Sequence, residues 1–148
     1  MTLSDELSQL DSLFFDTAPI IYYIEAHPDF GPLSKEAVEA FQTGSLTAYS
    51  SVITLAEVLA KPFQAGKEAL ARRFADFLLR GRNFLLLEVT VEIAGRAGWL
   101  RGRYPALKTI DSIQVASALT IEAEAFLTND GKLKQITEIK VLVLKDYL

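Results

Sequence analysis

The sequence has no cysteine, a single histidine and no long hydrophobic run, and each of these features excludes a class of protein. Without cysteine the chain forms no disulfide and offers no thiolate to zinc, which fits a reducing compartment. The opening MTLSDELSQLDS lacks a basic segment followed by an apolar one, so we expect no secretory signal. No apolar run approaches the length of a membrane span. We therefore expect a cytoplasmic protein without membrane contact.

Length and composition are those of a globular protein. The chain has 148 residues, of which 50% are hydrophobic and 23% are charged. A chain of this size can bury a sizeable core, and this composition is not that of a disordered protein. We expect residues 1–148 to form a single domain.

Charge is distributed unevenly along the chain. The net charge is -4, but residues 61–108 hold ten of the fifteen Lys and Arg and only four Asp and Glu. That segment therefore carries +6 and the remainder -10. The distribution matters more than the total for nucleic-acid binding. Solvated helix faces explain such a segment as well as a phosphate-binding surface does, unless an independent site points to phosphate.

Short apolar segments alternate with amphipathic ones. Five segments predict strands: LFF (13–15), LTAYSS (46–51), NFLLLEV (83–89), EAFLT (124–128) and IKVLVL (139–144). Helices are predicted at 18–26, 34–44, 53–62, 67–81, 90–104 and 108–125, the second with Ser34 as its cap and Gly44 as its stop. Strands that are apolar on both faces and alternate with helices are typical of a parallel sheet covered on both sides. The predicted fold is α/β, a three-layer α/β/α sandwich with a central parallel sheet.

Four acidic residues interrupt apolar surroundings. Asp16 ends the first predicted strand, and Asp130 follows the strand AFLT. Glu57 is the only charge in VITLAEVLA, and Asp111 opens the apolar helix TIDSIQVASAL. Two of the four therefore follow parallel strands, at the sheet edge where open α/β proteins place their ligands.

Each aspartate also has a purely structural interpretation. Asp16 is a suitable N-cap for the helix that follows it, and Asp111 favours the positive end of its helix. Asp130 precedes a glycine and suits a turn. Glu57 has no capping role and needs a partner if it is buried.

The four acids together favour a metal site. Two unit charges about 4 Å apart repel by roughly 4 kcal/mol at an effective dielectric constant of about 20, so clustered carboxylates need protonation or a cation. The one histidine, His27, lies in the turn-like HPDFGP, where we expect it to be exposed. With oxygen ligands only, Mg²⁺ or Mn²⁺ is the expected ion, and such a centre activates water for attack on a phosphodiester.

Four segments in series carry a resemblance to a known family. DTAPIIYYIE, SSVITLAEVLAKP, TIDSIQVASAL and FLTNDGKL resemble the successive motifs of PIN-domain ribonucleases, particularly the VapC toxins of bacterial toxin–antitoxin pairs. The resemblance covers essentially the whole chain. It implies an α/β/α sandwich, metal-dependent cleavage of RNA by metal-activated water, a homodimer, and a cognate antitoxin whose tail occupies the active-site groove.

The resemblance also assigns residues. The acidic cluster of the family falls on Asp16, Glu57, Asp111 and Asp130, which would bind one or two Mg²⁺ or Mn²⁺ ions. Polar neighbours would hold these carboxylates by hydrogen bonds. They are Thr17, Thr128 and Asn129, with Ser51 and Thr54 either helping in the same way or only starting their helix.

Basic residues and rival classes complete the expectations. Arg72, Arg73 and Lys132 are candidates for RNA binding, although each is equally explained as an exposed surface charge. A haloacid-dehalogenase-type enzyme needs a second acid where this chain has Ala18, and a receiver domain needs an acidic pair at the first strand. The alternative that stays open is a PIN-like module that binds RNA or protein without nuclease activity.

Overall fold

Five short strands form the centre of the structure, a computed structural model that describes residues 1–148. They are β1 (Ser12–Phe15), β2 (Thr47–Ser51), β3 (Phe84–Leu87), β4 (Ala125–Thr128) and β5 (Lys140–Val143). All neighbouring strands are parallel, in the order β3-β2-β1-β4-β5. The predicted parallel sheet is confirmed, and each predicted strand overlaps an observed one.

Helices cover both faces of the sheet. They are α1 (Leu3–Leu7), α2 (Thr17–Ile24), α3 (Gly31–Gln42), α4 (Val52–Gln64), α5 (Glu68–Arg80), α6 (Val91–Arg103) and α7 (Thr109–Thr120), with 3₁₀ helices at Gly131–Gln135 and Leu144–Tyr147. Buried side chains of α1 to α5 form one core with the sheet, and those of α6 and α7 form a second core on the opposite face. The predicted three-layer α/β/α sandwich is confirmed. None of the helices is both long and apolar enough to cross a membrane.

The central strand β1 shows why the strands are apolar on both faces. Leu13 and Phe15 are fully buried in the first core, whereas Phe14 is fully buried in the second. Phe14 stacks on Phe126 of β4, with ring centroids 5.4 Å apart. Full burial of such a side chain contributes about 1.5–3 kcal/mol. The strand that carries Asp16 at its end is therefore held from both sides.

The sequence prediction missed one helix and placed the end of another too late, each for a local reason. Helix α1 was not predicted, although Thr2 and Asp5 form a capping box in which each side chain accepts the other's backbone N–H. Helix α7 ends at Thr120, five residues earlier than predicted, because Glu122 adopts a positive φ of 59° and Ala125 already belongs to β4.

The start of α3 is also corrected. Ser34 does not cap this helix but lies inside it and is fully buried. The helix begins at Gly31, three residues earlier than predicted, and its N-cap residue Phe30 has no side-chain capping bond. His27 holds the turn before it, because its Nδ1 accepts the backbone N–H groups of Asp29 and Phe30, each at 3.1 Å. His27 is accordingly half-buried and not the exposed residue that the sequence predicted. Gly44, with φ of 86°, follows the end of α3 as predicted.

Candidate active site

The path of the chain creates a crevice at one edge of the sheet. From β1 the chain continues to β2 and β3 on one side, and later returns to β4 on the other side of β1. Ligands of open α/β sheets bind at such a switch point, outside the carboxyl ends of the strands. Asp16 directly follows β1 and Asp130 follows β4 by two residues. Both therefore lie where this topology favours a ligand.

Asp16 is held by the neighbouring strand β4 and by the helix that it starts. Its backbone N–H donates to the carbonyl of Leu127 at 2.9 Å, which extends the β1–β4 pairing and places it beside Thr128. One carboxylate oxygen accepts the backbone N–H of Thr17 at 2.9 Å, and the other accepts the Thr128 hydroxyl at 2.8 Å. Asp16 is also the N-cap of α2, so the structural interpretation is correct and compatible with a role in a site.

Asp111 and Asp130 line one depression of about 360 Å³. Asp111 lies in the first turn of α7, and Asp130 caps the following 3₁₀ helix by accepting the Lys132 backbone N–H at 3.0 Å. The backbone N–H of Asp130 donates to the Thr128 hydroxyl at 3.1 Å. Thr128 is therefore bonded to both strand-end aspartates.

Glu57 approaches the cluster from the exposed side of α4. Its neighbours in sequence are apolar, yet its side chain is exposed. The Thr17 hydroxyl donates to a Glu57 carboxylate oxygen at 2.6 Å, which connects it to the residue next to Asp16. An apolar depression of about 410 Å³ between α2, α4 and α5 begins at Glu57 and is lined by Ile21, Val58, Pro62, Leu70 and Phe74.

The carboxylates influence one another electrostatically. Burial raises the pKa of Asp16 to about 6, and the negative charges of Asp111 and Glu57 contribute to the increase, against the opposing hydrogen bonds from Thr128 and Thr17. Burial and the charge of Asp130 likewise raise the pKa of Asp111, which Lys108 partly offsets. The four predicted acids are therefore brought within electrostatic range of one another, as expected of a cluster that lacks a compensating cation.

A buried polar network lies beneath the cluster. The Thr54 hydroxyl is fully buried, lies 3.0 Å from that of Thr17, and accepts the Gln114 amide at 2.7 Å. Ser50 also contacts Thr54 and donates to the Phe15 carbonyl at 2.8 Å. The sequence analysis missed Gln114 and Ser50. Their only signal is that each is a polar residue within an otherwise buried segment.

Three predicted supporting residues form no hydrogen bond with a carboxylate: Thr54 of the buried network, Ser51 and Asn129. Ser51 caps α4 by accepting the Ile53 backbone N–H at 3.1 Å, and its own hydroxyl donates to Gln114. The Asn129 amide donates to the Tyr22 hydroxyl at 3.2 Å and accepts the Lys145 backbone N–H at 2.9 Å. Ser51 and Asn129 thus hold the surrounding elements together.

The predicted basic residues lie in three different places. Lys132 lines the depression that contains Asp111 and Asp130, together with Lys108, which the sequence analysis did not single out. Arg73 donates to the carbonyl of Ile24, at the end of α2, at 3.1 Å. Arg72 lines a separate depression between α4 and α5 that contains none of the four acids. The lysines, not the two arginines, are therefore placed beside the cluster.

The donor atoms suit a hard divalent cation. No three acidic or histidine side chains converge closely enough to hold a metal ion as they stand. The available ligands are nevertheless all carboxylate oxygens, with hydroxyl groups behind them, which is the chemistry that Mg²⁺ and Mn²⁺ prefer. The raised pKa of Asp16 also indicates that a cation would relieve repulsion here. Asp16, Glu57, Asp111 and Asp130 thus fit such an ion chemically.

Solved structures share this fold. VapBC2 from Rickettsia felis, bound to a promoter DNA fragment, has 21% identity and a TM-score of 0.73. The match covers 89% of this chain and 98% of the VapBC2 chain. A toxin–antitoxin complex from Klebsiella pneumoniae gives 25% identity and a TM-score of 0.64 over 88% and 96% of the two chains. VapC20 from Mycobacterium tuberculosis, described as a sarcin–ricin loop cleaving toxin, has 16% identity and a TM-score of 0.67. The match covers 86% of this chain and 98% of VapC20.

Sequence comparison assigns the family. No curated protein sequence matches the chain significantly. The PIN-domain family model matches residues 13–139, which include β1 and β4 and all four acids. The chain therefore belongs to the PIN-domain family.

Proposed function

We propose that this protein is a divalent-metal-dependent endoribonuclease, the VapC-type toxin of a toxin–antitoxin pair. The observation that carries the proposal is the gathering of four acids at the switch point between β1 and β4, where burial raises the pKa of Asp16 to about 6 and the charges of Asp111 and Glu57 add to the increase. A binding module gains nothing from such repulsion, whereas a nuclease needs a concentrated negative charge to bind its cation.

The acids have distinct proposed roles. Asp16, Glu57, Asp111 and Asp130 would bind one or two Mg²⁺ or Mn²⁺ ions, which supply Lewis acidity toward water and phosphate oxygens when bound. Thr17 and Thr128 orient Asp16, because their backbone and hydroxyl donors occupy one of its oxygens each.

Lysines beside the cluster would hold the RNA backbone. Lys108 and Lys132 face the same depression as Asp111 and Asp130, and neither forms a salt bridge with an acid. Their charges are therefore available to phosphates that flank the scissile bond. RNA is the proposed substrate because the chain resembles PIN-domain ribonucleases, and the two lysines would hold its phosphates.

An antitoxin is the proposed protein partner. The similar structures from Rickettsia felis and Klebsiella pneumoniae are toxin–antitoxin complexes, which supports a partner of that kind here. The apolar depression that begins at Glu57 offers a surface for an antitoxin segment, which would then lie across the acidic cluster. We also propose a homodimer and a cytoplasmic location, on the basis of family resemblance.

The test is cleavage of an end-labelled, structured RNA pool by purified protein with Mg²⁺, with Mn²⁺ and with EDTA, beside the Asp111→Asn variant. We expect cuts that need the metal, carry 5′-phosphates and disappear in the variant. Equal cutting by the variant would identify a contaminating nuclease and contradict the proposal.

A binding module without nuclease activity is the alternative, and one observation favours it. The acidic side chains do not converge into a ready-made ligand set. RNA binding measured by filter retention, with no cleavage under Mg²⁺ or Mn²⁺, would establish this alternative. Cleavage that needs the metal and Asp111 would exclude it.

A further inference from the structure

Gln114 is a fully buried amide between α4 and α7, and both ends of its side chain are hydrogen-bonded. Its carbonyl oxygen accepts the hydroxyl of Ser51 at 2.5 Å, and its amide nitrogen donates to the hydroxyl of Thr54 at 2.7 Å. Ser51 and Thr54 belong to the first turn of α4 and its cap. Gln114 thus joins the helix of Asp111 to the helix of Glu57.

The contacts continue from Gln114 to the acidic cluster. The Thr54 and Thr17 hydroxyl oxygens are 3.0 Å apart, and the Thr17 hydroxyl donates to Glu57 at 2.6 Å. Because the Gln114 amide can only donate to Thr54, the single hydroxyl proton of Thr54 is left for Thr17 or for Ser50, whose hydroxyl oxygen lies 2.9 Å away. The amide therefore influences the position of the Thr54 hydroxyl, which contacts the Thr17 hydroxyl that donates to Glu57.

We propose that Gln114 is a positioning residue for the acidic site, one that fixes the Glu57 carboxylate relative to Asp111 through Thr54 and Thr17. This inference rests on the proposed metal-dependent function. Gln114 follows Asp111 by three residues on α7, so a single residue relates the two carboxylates that approach the cluster from different helices.

Packing alone does not account for an amide here. The neighbouring buried positions of α7 include Val115, Ala116 and Ala118, which fill the core without polar atoms. An apolar residue at 114 would avoid the cost of burying an amide, a cost that only complete hydrogen bonding offsets. Groups that orient ligand side chains in this indirect way typically change metal affinity or activity by about 10–100-fold when removed.

The first test is Gln114→Met, which keeps the length of the side chain and removes both hydrogen bonds. Mn²⁺ binding by isothermal titration calorimetry and RNA cleavage are measured on the full chain, with the thermal midpoint of the metal-free protein recorded separately. We expect Mn²⁺ affinity and cleavage each to fall by about 10–100-fold. Ser117→Ala is the matched control, because Ser117 is a buried hydroxyl of the same helix that bonds only to the Ile113 carbonyl, at 2.7 Å.

The second test does not require a Gln114 variant to fold. Thr54→Val removes the intermediate hydroxyl with little change of shape, whereas Thr54→Ser keeps it. We expect Thr54→Val to lose Mn²⁺ affinity as Gln114→Met does and Thr54→Ser to retain it. The double variant of Gln114→Met and Thr54→Val is expected to lose no more Mn²⁺ affinity than either single variant, because both substitutions act through the same contacts.

The outcomes separate this inference from the function on which it rests. If the unaltered protein neither binds Mn²⁺ nor cuts RNA, the proposed function and the role of Gln114 both fail. If the unaltered protein does both and Gln114→Met stays within twofold of it, only the role of Gln114 is overturned. Equal losses in Thr54→Val and Thr54→Ser would also overturn it, because the hydroxyl would then be irrelevant.

Discussion

The two halves of the acidic cluster are built differently. On one side, Asp16 accepts a hydrogen bond at each oxygen, and the hydroxyl groups of Thr128 and Thr54 are fully buried. On the other side, Glu57 is exposed and Asp111 is half-buried at an open depression with two exposed lysines. The first half fixes a position, whereas the second half is accessible to solvent, ions and a substrate.

Fixing a carboxylate in this way has an energetic cost. Burial is the largest cause of the raised pKa of Asp16, and its two hydrogen bonds offset only part of that increase. The chain thus keeps an ionisable group at the end of its central strand at the expense of stability, which is common where a site is prepared for a ligand. Each of the following predictions perturbs mainly one of the two halves.

The largest expected effect is the loss of activity in Asp16→Asn. This change keeps the shape and the hydrogen bond from the Thr17 backbone but removes the charge. Because charge stabilisation by a bound metal is worth several kcal/mol, we expect cleavage to fall by about 10³-fold or more. The measurement is the initial rate of RNA cleavage with Mn²⁺. Asp76→Asn, an exposed acid on α5, is the control, and equal losses in both variants would contradict a specific role.

The same substitution is expected to stabilise the metal-free protein. With a folded pKa of about 6 against an ordinary 3.8, Asp16 is protonated in both states below pH 4. Between about pH 4 and 6 the unfolded chain releases its proton first, so stability falls as the pH rises and stays lower above pH 6. Relative to Asp16→Asn, the unaltered protein should therefore lose about 3 kcal/mol across this range.

Urea denaturation without divalent ions, at pH values from 4 to 7, measures this difference. Adding Mn²⁺ at pH 7 is expected to restore the stability of the unaltered protein and to stabilise Asp16→Asn much less, because that variant has lost one of the four carboxylates. A difference between the two proteins that does not vary with pH would show that Asp16 ionises normally.

Thr128→Val should have a smaller effect on the buried half. The change removes the donor to Asp16 and the acceptor for the Asp130 backbone N–H. We expect unfolding to become easier by about 1–3 kcal/mol and cleavage to fall by about 10–100-fold. Thr120→Val is the control for both the unfolding and the cleavage measurement, since the Thr120 hydroxyl is buried on α7 without a partner. An equally small change in both variants would mean that the Thr128 bonds do not orient Asp16.

The difference between the two halves of the acidic cluster also explains which of its residues could be identified from the sequence. Asp16 and Asp130 follow apolar strands, so a parallel sheet brings them to one edge, and this much could be inferred from their positions alone. Glu57 and Asp111 stood out because they interrupt apolar helices. The sheet and both helical layers were therefore predictable from periodicity, and the four acids were selected because their charges stand in unusual places; their role in a site stays a prediction.

Residues that act through tertiary contacts were not predictable. Gln114 and Ser50 stand out only as polar residues in buried segments, because their hydrogen bonds reach Thr54 and Phe15, which lie 60 and 35 positions away in the sequence. His27 was expected to be exposed because its hydrogen bonds to Asp29 and Phe30 depend on how the turn before α3 folds. Arg72 and Arg73 were chosen for their charge, whereas packing decides which side of α5 each side chain faces.

The smallest expected effect concerns the open half, where Lys108 and Lys132 lie beside Asp111 and Asp130. We expect the double change to alanine to weaken RNA binding several-fold and to reduce the slope of log K against log salt concentration by about 0.7 for each lysine on single-stranded RNA. Binding of RNA to Asp111→Asn protein, measured by fluorescence anisotropy over a salt series, isolates this step from cleavage. Arg72→Ala is the matched control, because its depression contains none of the acids. If Arg72→Ala reduces the slope and the lysine changes do not, RNA crosses the protein along α5 instead, and the open half of the cluster serves the metal alone.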